Sequence, residues 1–197
     1  MDFEKPDRGH LLSDALLNSR LLIAIWPFYR RYVESLNLNG DERVLEFGSG
    51  TGAASRHLAD ILRKGNGHLT CVDTSEAMAD IAKKRLRKYS NVEIKVGDIR
   101  TLDVKDCSHD AVFIHFTLHD VEESIRLDTV KVLARKLNTD GKLFIREPTE
   151  RFKAMSVEAM REVLSAGGFK EHSYSLTKAP LFGPMYEAVY VKAAANS

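Results

Sequence analysis

The stretch from Val44 to Gly52, VLEFGSGTG, constrains the fold of this chain more than any other. Its apolar residues suit a strand that is buried on both faces of a parallel sheet. Its glycines, Gly48, Gly50 and Gly52, permit backbone angles and a close approach of a ligand that a Cβ would block. Residues 53–62 then place apolar side chains on one helical face. The sequence therefore predicts a strand, a glycine turn and a helix, with a nucleotide-sized ligand at the turn.

The glycine turn by itself fits two kinds of nucleotide. Gly48, Gly50 and Ala53 satisfy the dinucleotide fingerprint G-x-G-x-x-G/A. Glu46 and Gly52 extend the pattern to E-x-G-x-G-x-G, which resembles motif I of the class I S-adenosylmethionine-dependent methyltransferases. In that family the turn lies against the methionine half of the cofactor, and the acidic residue helps to orient its amino group. The residues that the resemblance assigns to the cofactor here are Glu46, Gly48, Ser49, Gly50 and Gly52.

Acidic residues end the next two predicted strands. Asp73 follows the apolar run His68–Val72, where a carboxylate can accept hydrogen bonds from both ribose hydroxyls of an adenosine. NAD enzymes use the same arrangement, so Asp73 indicates an adenosine-containing ligand without distinguishing NAD from S-adenosylmethionine. Asp98 and Ile99 follow an alternating strand, and in the methyltransferases these positions hold the adenine amino group and the adenine ring. Asp73, Thr74, Asp98 and Ile99 thus join the cofactor residues that the resemblance implies, to which the next strand end adds His115.

The fourth predicted strand, residues 110–116, leads to the sequence His115-Phe116-Thr117-Leu118-His119-Asp120. In the family this strand opens onto the transferring methyl group. A base is useful only if the acceptor must lose a proton, and histidine titrates near neutrality. We expect His119 to be the base in preference to His115, with Asp120 and Glu147 as further candidates. The structural alternatives are a strand-end His115 that contacts the cofactor and a His119 that caps the next helix.

The other patterns complete an α/β fold: a doubly wound, mostly parallel seven-stranded sheet with an antiparallel C-terminal hairpin and helices on both faces. Residues 1–40 are predicted to form an N-terminal helical cap of the same domain, and residues 41–197 the Rossmann-like domain. Pro27 should end or kink the first helix of the cap. The further predicted elements are helices 76–87, 122–137 and 156–166, a turn at 138–141, strand 142–145, and hairpin strands 170–176 and 186–192.

Composition narrows the function classes. The 29 basic and 28 acidic residues among 197 give a net charge of +1, which argues against nucleic acid as a partner. Cys71 and Cys107 are too few for a disulfide framework or a cysteine-rich metal site, so no metal is predicted. The N-terminus lacks the order of a secretory signal, and no long uncharged apolar run predicts a membrane span. We therefore expect a cytoplasmic protein, as monomer or homodimer.

The resemblance implies methyl transfer from S-adenosylmethionine by direct displacement, in which proximity and orientation supply roughly 7–11 kcal/mol. A small-molecule or lipid-like acceptor is expected, because the N/D-P-P-Y/F motif of amino-methylating nucleic-acid enzymes is absent. Two alternatives stay open: methylation of a protein or tRNA partner, and a non-catalytic cofactor-binding scaffold. The side chains expected to line an apolar acceptor pocket are Trp26, Phe28, Tyr29, Tyr32, Phe182 and Met185.

Overall fold

The computed structural model describes residues 20–150, 154–179 and 183–193. These residues belong to two compact units, divided between Asn37 and Leu38. The described part of the first unit is helix α1, Arg20–Ser35, which contains Pro27. The helix therefore does not end at Pro27, because proline removes one backbone donor without preventing the neighbouring residues from continuing the helix, and the alternative of a kink there stays a prediction. The predicted role of residues 1–40 as a cap stays a prediction.

The second unit contains a seven-stranded sheet in the order β3-β2-β1-β4-β5-β7-β6. Strands β1 to β5 are parallel, and β7 is antiparallel to both β5 and β6. This topology confirms the predicted mostly parallel sheet with a C-terminal hairpin. The strands are β1 Arg43–Phe47, β2 His68–Asp73, β3 Val92–Val96, β4 His109–His115, β5 Leu137–Pro148, β6 Phe169–Ala179 and β7 Gly183–Lys192.

Helices pack on this sheet through the apolar stripes that the sequence predicts. Ser75 and Ser156 cap two of them by accepting the N–H of Met78 and of Ala159, at 3.4 and 3.1 Å. Side chains of α4 and α5 form one buried core with those of β1, β4 and β5. The helices are α2 Ser55–Leu62, α3 Glu76–Leu86, α4 Glu123–Lys136 and α5 Val157–Ala166, and a 3-10 turn lies at Leu118–Asp120.

Two local predictions are wrong. The predicted turn at 138–141 lies inside β5, where the pairing with β4 jumps from His109↔Leu137 to Ala111↔Lys142. The residues between form an irregularity within the strand, because pairing has already begun at Leu137. On α3, Ala77 is exposed although it was predicted to face inward, and Ala79 and Ala82 are buried in its place.

The described helices include none that is both long and apolar enough to cross a bilayer.

Candidate active site

A cleft of about 520 Å³ opens at the carboxyl ends of strands β1 to β4. Its size lies within the usual range of ligand sites, roughly 300–1,000 Å³. Ligands of open α/β sheets bind at this edge of the sheet. The strand ends of β1, β2 and β3 contribute one wall, which contains Phe47, Gly48, Gly50, Val72, Asp73, Thr74, Met78, Gly97, Asp98 and Ile99. The segment after β4 contributes the other wall, which contains Phe116, Thr117, Asp120, Val121, Glu122, Ile125 and Thr129.

The three glycines of the turn serve different purposes. Gly48, Gly50 and Gly52 all have positive φ, at 76°, 51° and 75°, which favours glycine. A Cβ on Gly48 would come within 2.1 Å of the Thr117 side chain, and one on Gly52 within 3.3 Å of Ala82 and Leu86. A Cβ on Gly50 would meet no atom within 4 Å. Internal packing therefore excludes a side chain at Gly48, whereas Gly50 alone leaves room for a ligand in the cleft.

Asp73 lies where the sequence predicts, at the end of β2 and in the cleft wall. Its Oδ2 accepts the N–H of Gly50 at 2.6 Å, and its Oδ1 accepts the N–H of Ser75 at 2.9 Å. The carboxylate therefore joins the glycine turn to the start of α3. Each oxygen keeps acceptor capacity for a hydroxyl in the cleft, because a carboxylate offers about four lone-pair sites. The exposed Thr74 lies beside it in the same wall.

Asp98 and Ile99 line the cleft beyond β3. Arg100 binds the Asp98 carboxylate with its Nε at 2.9 Å and its Nη2 at 2.5 Å from Oδ2, and its backbone N–H donates to Oδ1. These bonds hold the pKa of Asp98 below its ordinary value. Ile99 is buried, with 1% of its surface exposed. The contact of Ile99 with an adenine ring stays a prediction, and Asp98 is paired with an arginine that the sequence did not indicate.

Glu46 and Ser49 are buried and do not belong to the cleft wall. Burial raises the pKa of Glu46 to about 7. The nearby Ser55 hydroxyl and the Cys71 thiol, which donates to Oε2 at 3.4 Å, act in the opposite direction. The Ser49 hydroxyl has no hydrogen-bond partner among the described residues. The turn thus carries a buried acid that is close to half-protonated at neutral pH and a buried hydroxyl able to bind a further group.

His115 is the last residue of β4 and is buried outside the cleft wall. Its ring lies between those of Phe113 and Phe116, with centroids 5.9 and 4.3 Å away. Burial and the neighbouring Arg146 lower the pKa of His115 to about 3. The imidazole is therefore neutral at physiological pH and a weak proton acceptor. This placement argues against His115 as the base.

His119 lies in the 3-10 turn between β4 and α4, with only 6% of its side chain exposed. Its Nδ1 is 2.5 Å from Oε2 of Glu147, and its Nε2 is 3.5 Å from Oδ1 of Asp120. Burial alone would lower the pKa of His119, but Glu147 and Asp120 raise it above its ordinary value. The imidazole does not line the cleft itself, whereas Asp120 does. The alternative role as a cap of α4 is not observed, because that helix begins at Glu123.

Several expected site residues lie elsewhere or outside the description. Met185 is fully buried on β7 and is absent from the cleft wall. Phe28, Tyr29 and Tyr32 belong to the first unit. The Trp26 side chain and Phe182 lie outside the described residues. Two other aromatic residues, Phe47 at the end of β1 and Phe116 directly after β4, line the cleft.

The described ranges of the chain contain no group of three or more His, Cys, Asp or Glu side chains placed to hold a metal ion.

Comparison with known proteins identifies the family. A methyltransferase domain model matches residues 44–141, from β1 into β5. Carboxy-S-adenosyl-L-methionine synthase of Actinobacillus succinogenes is 28% identical over 171 residues, which are 83% of this chain and 68% of that protein. Demethylmenaquinone methyltransferase of Clavibacter sepedonicus is 36% identical over 107 residues, which are 54% of this chain and 41% of that protein.

A solved structure extends the likeness to nearly the whole chain. The 1,6-didemethyltoxoflavin-N1-methyltransferase of Burkholderia thailandensis, crystallised with S-adenosylhomocysteine, has a TM-score of 0.71 at 16% identity. The match covers 98% of this chain and 93% of that one. At this identity the likeness shows the fold. The methyltransferase domain model and the curated relatives show that the chain belongs to the class I S-adenosylmethionine-dependent methyltransferases.

The residues of the cleft fit the cofactor of this family. Gly50 leaves open space where another residue would place a Cβ. Asp73 offers carboxylate oxygens at the same wall, and Val72, Met78 and Ile99 add apolar surface. A carboxylate suits ribose hydroxyls, and the apolar side chains suit an aromatic base. S-adenosylmethionine, when bound, supplies an electrophilic methyl group on a sulfonium.

Proposed function

We propose that this protein binds S-adenosylmethionine in the cleft and transfers its methyl group to a small-molecule acceptor. The observation that carries the proposal is the convergence of Gly50, Asp73 and Asp98 from three strand ends on one cleft. The cofactor residues of the proposal are Glu46, Gly48, Ser49, Gly50, Gly52, Asp73, Thr74, Asp98 and Ile99. Gly48 and Gly52 act in it by shaping the turn, and Glu46 acts through its charge.

The second wall of the cleft supports a small, partly apolar acceptor. Phe116, Val121 and Ile125 provide apolar surface, with Asp120 and Glu122 beside them. Apolar walls with a few polar groups are typical of sites for small molecules. The names of two similar proteins, a demethylmenaquinone methyltransferase and a toxoflavin N1-methyltransferase, agree with an acceptor of this kind.

Where the acceptor must lose a proton, we propose that His119 serves as the base. Its Nδ1 is held by Glu147, and its Nε2 lies beside Asp120, which faces the cleft. In this arrangement the proton of the acceptor reaches His119 by way of Asp120. A base of this kind typically contributes about 10²–10⁴-fold to the rate. Because the pKa of His119 lies above its ordinary value, the rate should rise with pH through a correspondingly higher midpoint.

A second candidate function is a reaction that modifies S-adenosylmethionine itself. The observation that favours it is the similarity to a carboxy-S-adenosyl-L-methionine synthase, which extends over 83% of this chain. In that case the cleft would hold the cofactor as substrate, and no methylated acceptor would form.

The deciding experiment uses S-adenosylmethionine labelled in its methyl group, incubated with the protein and a whole-cell extract, whose small-molecule, protein and RNA fractions are then analysed by mass spectrometry. A labelled small molecule that forms with the parent but not with Gly50→Val supports the proposal. A labelled cofactor of changed mass supports the second candidate. A labelled protein or tRNA, or binding of cofactor with no product in any fraction, would overturn the proposal.

A further inference from the structure

The end of strand β5 carries a buried acid that the cofactor residues do not explain. Glu147 has none of its surface exposed and is absent from the cleft wall. Burial of a carboxylate is costly unless hydrogen bonds compensate it. Glu147 has three such partners: the N–H groups of Thr117 and Leu118 at Oε1, and Nδ1 of His119 at Oε2. Its two oxygens therefore bind two different parts of the segment 116–120.

The first oxygen holds the backbone of that segment. Oε1 accepts the N–H groups of Thr117 and Leu118, each at 2.8 Å. The segment needs such support because Phe116 has a left-handed φ of 57°, which is uncommon for a residue with a bulky side chain. Phe116, Thr117 and Asp120 all line the cleft. Glu147 thereby fastens one wall of the cleft to the end of β5.

Thr117 connects the 116–120 segment to the glycine turn through contacts with Gly48. Its hydroxyl lies 3.3 Å from the carbonyl oxygen of Gly48 and 3.2 Å from that of His115. Its side chain fills the space that a Cβ on Gly48 would occupy. Glu147, Thr117 and Gly48 therefore form a continuous set of contacts from β5 to the turn after β1.

The second oxygen determines which nitrogen of His119 carries a proton. An ionised carboxylate can only accept hydrogen bonds, so the 2.5 Å contact requires the proton on Nδ1. In the neutral imidazole the lone pair then lies on Nε2. Nε2 is the atom beside Asp120, at 3.5 Å from Oδ1. The proton acceptor of the imidazole thus points toward the residue that faces the cleft.

We infer that Glu147 is a positioning residue with two separable tasks, one for each oxygen. Oε1 holds the 116–120 segment against the glycine turn and so maintains cofactor affinity. Oε2 holds the proton of His119 on Nδ1 and so keeps Nε2 able to accept a proton. The inference rests on the proposed function, in which His119 is the base.

Glu147→Gln separates the two tasks. Its amide oxygen can still accept the N–H groups of Thr117 and Leu118, while its amino group faces Nδ1 of His119. The reverse orientation is unfavourable, because it would place the amino group against the backbone N–H groups of Thr117 and Leu118, which are donors themselves. The imidazole must then accept at Nδ1 and carry its proton on Nε2. We expect cofactor affinity within about threefold of the parent and a turnover lowered by about 10²–10⁴-fold, as in His119→Ala.

The tautomer is read directly by long-range ¹H–¹⁵N NMR of the imidazole, at a pH above that of its protonation. The parent should show Nδ1–H and the Glu147→Gln variant Nε2–H. Glu147→Ala removes both oxygens, and we expect it to weaken cofactor binding by more than tenfold. Glu187→Gln is the matched control: this β7 residue pairs with Arg146 at 2.9 Å and makes none of the bonds of Glu147. It should leave both readouts unchanged.

Two results would overturn the inference. One is an unchanged Nδ1–H tautomer in Glu147→Gln, and the other is parent-like cofactor affinity in a folded Glu147→Ala. Thermal unfolding confirms that each variant is folded. The tautomer measurement needs neither cofactor nor acceptor, so it stands even if the parent binds no S-adenosylmethionine. Failure of the parent to bind would contradict the proposed function instead.

Discussion

The two walls of the cleft are built in different ways. The wall from β1, β2 and β3 is built mainly from residues at the carboxyl ends of these strands or a few positions beyond them, such as Gly50, Asp73 and Asp98. Asp98 is held by Arg100, two positions away, and one bond joins two strand ends, from the N–H of Gly50 to Asp73. The wall after β4 depends on Glu147, which binds residues 28 to 30 positions away in the chain.

This difference separates binding from chemistry. The first wall offers glycine, carboxylate and apolar groups that need only the ends of parallel strands to converge. The second wall needs a buried charge, three donors and a histidine in one tautomer, and each depends on the others. We therefore expect substitutions in the first wall to act mainly on cofactor affinity, and substitutions near the second to act on proton transfer as well.

The largest expected effect tests the first wall. Gly50→Val should abolish binding of S-adenosylmethionine measured by calorimetry. Gly50 lines the cleft, and the valine side chain would occupy the open space that we assign to the cofactor. The fold should survive, since the left-handed conformation costs a residue with a Cβ only about 1–2 kcal/mol.

The matched control for this variant is Gly168→Val. Gly168 also has a positive φ, 93°, with no atom within 4 Å of its Cβ position, and it is not part of the cleft wall. It should show a similar loss of stability with unchanged binding. Equal binding by Gly50→Val and the parent would show that the cofactor lies elsewhere.

The second expected effect is acid sensitivity of the region around β4 and β5. The pKa of His115 is about 3 in the folded protein, below its ordinary value of 6.5, because of burial and Arg146. Between about pH 6.5 and 3 this histidine is therefore protonated in the unfolded chain but not in the folded protein. The free energy of unfolding decreases as pH falls through this range. The loss from this residue is on the order of a few kcal/mol, at about 1.4 kcal/mol per pKa unit.

Urea unfolding across this pH range measures the effect. His115→Phe should make the dependence shallower, because its ring does not titrate, while His109 on the same strand, whose pKa burial lowers to about 4, retains part of it. Substitution of the exposed His172 on β6 by Gln should leave the slope unchanged. A parent-like slope in His115→Phe would assign the acid sensitivity to other groups.

Asp73→Ala should weaken cofactor binding by about 1.5–3 kcal/mol, or roughly 10- to 150-fold, the usual range for hydrogen bonds to a charged group. Calorimetry provides the measurement. Asp80→Ala removes an acid on α3 whose partner is the exposed Lys83, at 3.0 Å, and should change affinity little. Similar losses in the two variants would indicate a general effect of charge and contradict a specific contact at Asp73.

The smallest expected effect is a proton released on binding. With a pKa of about 7, Glu46 is close to half-protonated at pH 7. A bound cation favours the ionised form, so binding should release up to about half a proton. Calorimetry in buffers of different ionisation enthalpy measures this number, and Glu46→Gln should reduce it to near zero. Proton uptake by the parent would contradict the proposed charge effect of Glu46.

Much of the first wall could be predicted because its signals are local. The apolar run before Gly48, the acids at the ends of the second and third strands and the serine cap at Ser75 are each marked by neighbouring positions in the chain. The purpose of each glycine could not be predicted in this way. Gly48 and Gly50 look alike in the sequence, and only the packing of Thr117 distinguishes them.

By itself, the sequence determined the order of the strands and helices and the position of the acids at the strand ends, because hydrophobic period, glycine and capping residues act over a few neighbouring positions. The tertiary structure decided that β4 and β5 lie side by side with His115 opposite Arg146. That register brings Glu147 to the N–H groups of Thr117 and Leu118 and to His119. No local pattern encodes such a contact, because it depends on the pairing of two strands that a whole helix separates.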